Sequence, residues 1–292
     1  MVYCGHNSYK EGIPMATKKA GSTAKKSTRA KSQPAKTTVT TVKAESIAAT
    51  TKSSSLSTRL NGDRRTVLAA ALIGEFIGTF VLASAYLVTK GEPLYLGFVL
   101  VTLILMVGTL SGAHLNPALT VGAWVTRKVG HLRAVAYIVA QLLGAGAAFV
   151  VLSAFTGSYH VDSSSASAAL STQSVEVFKM AALTSTNHWY IFFAELLGAS
   201  IFAFAVAGAW REKTDRVARA FLGGFGLFVA ALIAGVAASY ASANVALNPA
   251  IALSASAIDW TKIDWFAVAV YIVAPLIGGI IGFALRDVVE TE

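Results

Sequence analysis

The sequence predicts an all-α membrane protein of six spanning helices and two half-helices, arranged as an inverted repeat. Three observations lead to this fold class: the chain is strongly apolar, its apolar stretches have the length of membrane spans, and its two halves share motifs in the same order. Hydrophobic residues form 55% of the 292 residues, charged residues only 13%, and the mean hydropathy is +0.61. Because globular proteins carry about 25% charged residues, the body of this chain belongs in a bilayer.

The net charge of +9 comes from the N-terminal segment. Residues 1–66 hold 13 of the 24 lysines and arginines with only three carboxylates, and the rest of the chain is nearly neutral. A segment rich in Lys, Ala, Ser and Thr buries too little apolar surface to order itself, so residues 1–65 are predicted to form a disordered, basic, cytoplasmic tail. The tail contacts anionic lipid or nucleic acid, or it is a solvated segment that fixes orientation; the second interpretation is favoured.

Six apolar stretches approach the ~20 residues that cross a bilayer. They are predicted to be helices because lipid offers no partner for backbone N–H and C=O groups. Two shorter apolar pieces, about 116–126 and 248–258, are half-spans. The six stretches cover about 67–88, 94–110, 132–154, 188–210, 217–238 and 266–286.

Charge placement predicts the orientation of the spans. With the tail inside, 21 basic residues lie on the cytoplasmic side, and the three outside are Lys90, Lys179 and Lys262. This asymmetry follows the positive-inside rule. No secretory signal is recognisable in the first 60 residues, so we expect a multi-pass protein of the plasma membrane with both termini cytoplasmic.

The two halves of the body repeat each other. Glu75-Phe-Ile-Gly78 is echoed by Glu195-Leu-Leu-Gly198, and Leu115-Asn-Pro-Ala118 by Leu247-Asn-Pro-Ala250. A third echo links residues 137–144 to residues 271–278. Repeat 1 covers about 67–154 and repeat 2 about 188–287, joined by an outer loop at 155–187. Since each repeat has three spans, the second enters from the opposite side, and the matched short segments point to a site at the midplane.

The two Asn-Pro-Ala elements (Asn116, Pro117 and Ala118; Asn248, Pro249 and Ala250) are predicted to start half-helices. Asn is a favoured N-cap, and Pro fits the first helical position because it has no N–H to leave unpaired. The inverted repeat brings the two helix N-termini together in mid-membrane, each with partial positive charge and free N–H donors. Such a place suits a neutral polar molecule and repels a cation.

From about residue 67 to 287 the chain resembles the aquaporin family, also called major intrinsic proteins. The most specific stretch is Ser111-Gly-Ala-His-Leu-Asn-Pro-Ala-Leu-Thr-Val-Gly122, and Asn248-Pro-Ala250 is shorter but correctly placed. The resemblance implies an aquaporin-like right-handed bundle over residues 66–288, a homotetramer with one pore in each subunit, and a small neutral permeant such as water.

Glu75 and Glu195 are the acidic residues deep inside predicted spans, where a carboxylate needs a partner. A proton relay is one interpretation, but the resemblance favours a structural role in which each carboxylate braces the backbone amides of an Asn-Pro-Ala loop. His114, next to the first loop, is predicted to have a packing or loop-fixing role rather than to bind a ligand, because no second ligand neighbours it in the sequence. Gln141 is predicted to form a helix–helix hydrogen bond.

The sequence departs from the family pattern at the outer constriction. Most members carry Arg three positions after the second Asn, whereas Ile251 stands there, and Ala252 follows in place of the Asp of glycerol channels. In the family four residues, here called corners, line the outer constriction. By the family's spacings the other three are Leu96, Val236 and Val245. Four aliphatic corners remove water from a solute without replacing its hydrogen bonds. This predicts a pore that is poor for glycerol and passes water slowly, or passes small, weakly polar solutes.

The leading function is therefore a passive channel for water or small neutral solutes. One alternative is an ion-coupled secondary transporter, because inverted repeats and broken helices occur there too. Another is a non-conducting membrane scaffold whose tail binds a partner. No motif of an enzyme is present, and we expect no cofactor and no metal.

Overall fold

A computed structural model describes residues 53–157, 177–184, 188–259 and 261–290, with side chains from residue 66 onward apart from residue 157. This part of the chain is all-helical. Its helices are α1 Ser53–Thr89, α2 Pro93–Ser111, α3 Pro117–Val125, α4 His131–Gly157, α5 His188–Ala209, α6 Arg216–Ser239, α7 Pro249–Ser254, α8 Trp265–Val268 and α9 Ala274–Val289. A π-helical turn, Ala269–Val273, joins α8 to α9.

All six predicted spans are confirmed. The helices that are long and apolar enough to cross a membrane are Thr66–Thr89, Pro93–Ser111, His131–Thr156, His188–Ala209, Arg216–Ser239 and Trp265–Val289. The half-helices α3 and α7 have nine and six residues, which is too short to cross.

The first helix is longer than the sequence indicated. It begins at Ser53, inside the segment predicted to be disordered, so that prediction is wrong for residues 53–65. Extending an existing helix adds one backbone hydrogen bond for each residue that is fixed. This explains how the polar residues before the apolar span can join the same helix. The rest of the predicted tail, residues 1–52, and most of the predicted outer loop lie outside the described residues.

Helix packing follows the sequence repeat. The contact of α1 with α4 in repeat 1 corresponds to that of α5 with α9 in repeat 2, and α1 with α2 corresponds to α5 with α6. Each half-helix packs against the last span of the other repeat, α3 on α9 and α7 on α4. The repeats are therefore interlocked around the two half-helices.

Equivalent glycines allow equivalent close approaches. A Cβ atom on Gly198 of α5 would lie 2.6 Å from Cδ2 of Leu247, the residue before the second Asn. Gly78 of α1 faces Leu115 in the same way, one repeat earlier. Small residues at such positions let helix backbones and loops approach closely inside a membrane protein.

The last span of repeat 2 departs from repeat 1 at one point. Pro275 stands where repeat 1 has Gln141, and the π-helical turn immediately precedes it. Proline has no N–H and its ring crowds the carbonyl four residues earlier, and a π-turn is one way to absorb this within a continuous helix. Repeat 2 consequently lacks the polar side chain that repeat 1 places next to its buried carboxylate.

Candidate functional site

Both Asn-Pro-Ala elements cap half-helices. Oδ1 of Asn116 accepts a hydrogen bond from the N–H of Ala118 at 2.8 Å, and Oδ1 of Asn248 accepts one from the N–H of Ala250 at 3.0 Å. Each Asn backbone is extended, as an N-cap requires, and the following Pro occupies the first helical position. The residue types alone account for where the half-helices start.

The two turns are bonded to each other across the repeat. Nδ2 of Asn116 donates to the carbonyl of Leu247 at 2.8 Å, and Nδ2 of Asn248 donates to the carbonyl of Leu115 at 2.9 Å. The two amides are buried, and the N-termini of α3 and α7 therefore meet. Each side-chain amide has two N–H groups, and within the described residues one of the two has no acceptor, which leaves it for a passing oxygen atom.

A buried carboxylate holds the loop before each Asn. Oε1 and Oε2 of Glu75 accept from the N–H groups of His114 and Leu115 at 2.9 and 2.7 Å. Glu195 accepts from the N–H groups of Ala246 and Leu247 at 2.6 and 2.9 Å. Both carboxylates are fully buried, so these charge-assisted bonds replace the water that each has lost.

The bonds to Glu75 and Glu195 also secure a strained backbone. Leu115 and Leu247 have φ values of 51° and 53°, in the left-handed region. This conformation costs a residue other than glycine about 1–2 kcal/mol. The donation of their N–H groups to Glu75 and Glu195 gives a physical reason why the strained loops persist in both repeats.

Repeat 1 surrounds its carboxylate with further polar side chains. Nε2 of Gln141 donates to Oε2 of Glu75 at 2.7 Å, which is the helix–helix hydrogen bond predicted from the sequence, and also to Oγ1 of Thr120 at 3.0 Å. Oγ1 of Thr120 lies 3.2 Å from Nδ1 of His114. In repeat 2 the corresponding positions are Pro275, Ala252 and Ala246, so Glu195 has only backbone donors among the described residues.

His114 has the surroundings of a packing residue. Its ring lies edge-on to Tyr137 of α4, with centroids 5.1 Å apart, and 4.4 Å from the ring of Trp210 at the end of α5. Among the described residues, no three His, Cys, Asp or Glu side chains are grouped so that they could hold a metal ion.

The loop carbonyls differ between the repeats. Within the described part of the chain, the carbonyls of Ala113 and His114 accept no hydrogen bond. The equivalent of Ala113 in repeat 2 is Val245, and its carbonyl accepts a 2.7 Å bond from the hydroxyl of Tyr86. The carbonyl of Asn244 accepts from the hydroxyl of Tyr271 at 3.3 Å. The carbonyl of Gly112, the counterpart of Asn244, is also occupied, by Nη2 of Arg219. The loop of repeat 2 therefore differs from that of repeat 1 at the carbonyl of Val245, which is taken where that of Ala113 is not.

A cavity of about 330 Å³ opens between the α1–α2 turn, α6 and the loop before Asn248. Val236 and Val245, two of the four predicted constriction residues, line it together with Tyr86. Leu96 and Ile251 are only 4% and 3% exposed and do not line it. The structure thus brings two of the four predicted corners to one cavity.

Gly235 lines the same cavity as Val236. A Cβ atom on Gly235 would lie 4.0 Å from Cγ2 of Val245, and Val236 is 50% exposed.

Tyr86 is a site residue that sequence reasoning missed. A signal for it was present, because residues 75, 79, 82 and 86 follow the spacing of one helix face and the first of them is the buried Glu75. Tyr86 is 1% exposed, and its ring packs 6.1 Å from that of Phe178 in the outer loop.

Comparison with known proteins assigns a family to this geometry. The model of the major intrinsic protein family matches residues 63–285. Aquaporin Z from Photorhabdus laumondii is 28% identical over 239 residues, which cover 77% of this chain and 97% of that protein. Aquaporin C from Dictyostelium discoideum is 29% identical over 245 residues, covering 76% and 81%. The X-ray structure of the aquaglyceroporin from Plasmodium falciparum matches in fold, with a TM-score of 0.57 at 24% identity over 75% of this chain and 96% of that one.

Proposed function

This chain belongs to the major intrinsic protein family, and from that premise we propose a channel whose outer constriction is aliphatic and carries no cation. The activity is the passive passage of water or small neutral solutes across a membrane. The observation that carries the proposal is the reciprocal pair of hydrogen bonds between the two Asn-Pro-Ala turns. It holds two helix N-termini and two spare amide N–H groups at one place, where they favour the oxygen of a neutral molecule over a cation.

Leu96, Val236, Val245 and Ile251 form the outer constriction in this proposal. Val236 and Val245, which line one cavity, support it because their side chains offer nothing to replace a solute's hydrogen bonds. The polar residues of that cavity, Lys90, Glu92, Ser239 and Asn244, belong to its mouth in this proposal. Glycerol, with three hydroxyl groups to desolvate, is then a poor permeant. Water passes slowly, and small, weakly polar solutes pass more readily.

We further propose a homotetramer in the plasma membrane with both termini in the cytoplasm. Large apolar side chains on the outside of the described helices support embedding and association, for example Phe98, which is 50% exposed, and Leu143, which is 61% exposed.

The alternatives from the sequence are not favoured. An ion-coupled transporter needs a carboxylate that is free to bind the coupling ion, whereas both oxygens of Glu75 and of Glu195 accept backbone N–H groups. A closed scaffold gives no reason for spare amide donors at the midplane. The members of the family are channels, not enzymes.

Stopped-flow swelling of proteoliposomes tests the proposal. The wild-type protein should give slow water flux, low glycerol flux and measurable flux of a less polar solute of similar size. Ile251→Thr adds a hydroxyl and should raise water flux several-fold. Ile251→Val, which has the shape of threonine without the hydroxyl, is the matched control and should not. Fast water flux in the wild type with no solute flux would contradict the aliphatic constriction.

A further inference from the structure

An arginine on α6 lies at the start of the first Asn-Pro-Ala loop. Nη2 of Arg219 lies 3.4 Å from the carbonyl of Gly112, the residue that ends α2 and opens the loop to Asn116. The side chain is half-buried, and its Nε is fully buried with no hydrogen-bond partner in the described part of the chain. The guanidinium is therefore held against the loop rather than extended into solvent.

Three other cations have carboxylate partners. Lys128 and Arg211 pair with Asp287, and Arg211 and Arg286 pair with Glu290. These two carboxylates offset most of the positive charge of that cluster.

Arg219 has no such partner among the described residues. Oδ1 of Asp215, one helical turn away, is taken by the N–H groups at the start of α6. The charge that acts on Arg219 is that of Arg216, and Arg219 and Arg133 are the cations that act on His114. The loop is thus close to two cations, Arg133 and Arg219, and to one carboxylate, that of Glu75, which its N–H groups hold.

The position of Arg219 matters because of the carbonyls that follow Gly112. The next two, those of Ala113 and His114, accept no hydrogen bond within the described residues and are available to a permeant. Carbonyl oxygens attract cations as well as water. A cation that approaches these carbonyls from the Gly112 end of the loop meets the charge of Arg219, which has no carboxylate partner among the described residues.

We propose that Arg219 is a specificity-determining residue of this channel, which provides at the cytoplasmic mouth the positive barrier that the outer constriction lacks. The inference rests on the proposed channel function. A fixed charge in a narrow site beside low-dielectric walls acts on other charges much more strongly than in water. Neutral molecules pass it at little cost, whereas hydronium and other cations are repelled. Proton exclusion then depends on Arg219 together with the half-helix N-termini.

The test is proton leak in proteoliposomes that contain an entrapped pH indicator, measured beside water flux in the same vesicles. Arg219→Gln keeps a donor for the Gly112 carbonyl but loses the charge, and it should raise the leak about tenfold. Arg219→Lys keeps the charge and should behave as wild type. Arg216→Gln is the matched control: Arg216 also donates to an α2 carbonyl, that of Leu105, but is exposed, and its removal should leave the leak unchanged.

A second measurement needs no variant. If the barrier is a charge, screening it with choline chloride should increase the proton leak of the wild type, which the mere capping of α2 by Arg219 would not produce. Two results would overturn the role of Arg219 but leave the channel function intact. One is an unchanged proton leak in Arg219→Gln with normal water flux, and the other is a wild-type proton leak that does not change with ionic strength. Absence of water and solute flux in the wild type overturns the channel itself.

Discussion

Exchanging Glu195 for glutamine perturbs the loop of repeat 2 with almost no change of shape. The carboxylate accepts the N–H groups of Ala246 and Leu247, one on each oxygen. Glutamine has one carbonyl oxygen and one NH₂ group, so it can accept only one of them. The second N–H then faces another donor in a fully buried position.

The size of the effect follows from these contacts. A hydrogen bond to a charged group contributes about 1.5–3 kcal/mol, and a buried N–H left without a partner costs about 1–3 kcal/mol. The free energy of unfolding should therefore fall by roughly 2.5–6 kcal/mol. In a domain of this size 1 kcal/mol corresponds to about 2–4 °C, so we expect Tm to fall by roughly 5–24 °C.

Thermal unfolding of the purified protein in detergent measures this directly. Glu92→Gln is the matched control, because Glu92 lies exposed in the outer α1–α2 turn and makes no cap hydrogen bond; its Tm should change by no more than about 2 °C. Glu75→Gln should lower Tm by a similar amount to Glu195→Gln, since it also forfeits one backbone donor. A Tm for Glu195→Gln within the range of the control would refute the bracing of the loop by a carboxylate.

Two further predictions concern packing and pH. Gly122→Ala places a Cβ atom 2.5 Å from the carbonyl oxygen of Gly279, so it should separate α3 from α9 and reduce the yield of folded protein, whereas Gly130→Ala, which has open space around it, should not. Hydrogen bonds from the Thr214 hydroxyl and neighbouring backbone N–H groups lower the pKa of Glu212 from 4.5 to about 2. The turn that they form should stay intact above pH 4.5 and loosen only as pH falls through about 2. A ¹³C carboxyl titration checks this, and a midpoint near 4.5 for the wild type would contradict it.

The spans and half-helices were predictable because their causes are local in the sequence. A run of apolar residues long enough to cross lipid forces a helix. An Asn followed by Pro sets an N-cap and a first helical turn at one place, so α3 and α7 begin at Pro117 and Pro249 as the tripeptides require. The inverted repeat added the long-range information, because an odd number of spans in each half brings the two turns to the same depth.

Other features could not be derived from one sequence because they depend on how distant segments meet. The hydroxyl of Tyr86 reaches the carbonyl of Val245, 159 residues away, and nothing in the local pattern names that partner. The constriction position of Val236 rests on a count along α6 and stays a prediction, because one residue along a helix turns the side chain by about 100°. The start of α1 was predicted too late because the prediction used the free-energy cost of ordering an isolated polar segment. Extending a helix that already exists costs less for each residue.

The repeat also makes the differences between the halves informative. A strict two-fold relation would leave equivalent carbonyls free on both sides of the Asn pair. The carbonyl of Val245, however, accepts a hydrogen bond from the hydroxyl of Tyr86, whereas the equivalent carbonyl of Ala113 accepts none among the described residues. Around the buried carboxylates, likewise, Gln141 stands in repeat 1 and Pro275 in repeat 2. Beside the Asn pair, polar side chains are thus more numerous around the carboxylate of repeat 1 than around that of repeat 2, whose loop carries Val245 of the proposed constriction. If the proposed constriction and the proposed role of Arg219 both hold, a permeant loses water at one end of the path and a cation meets the fixed charge at the other.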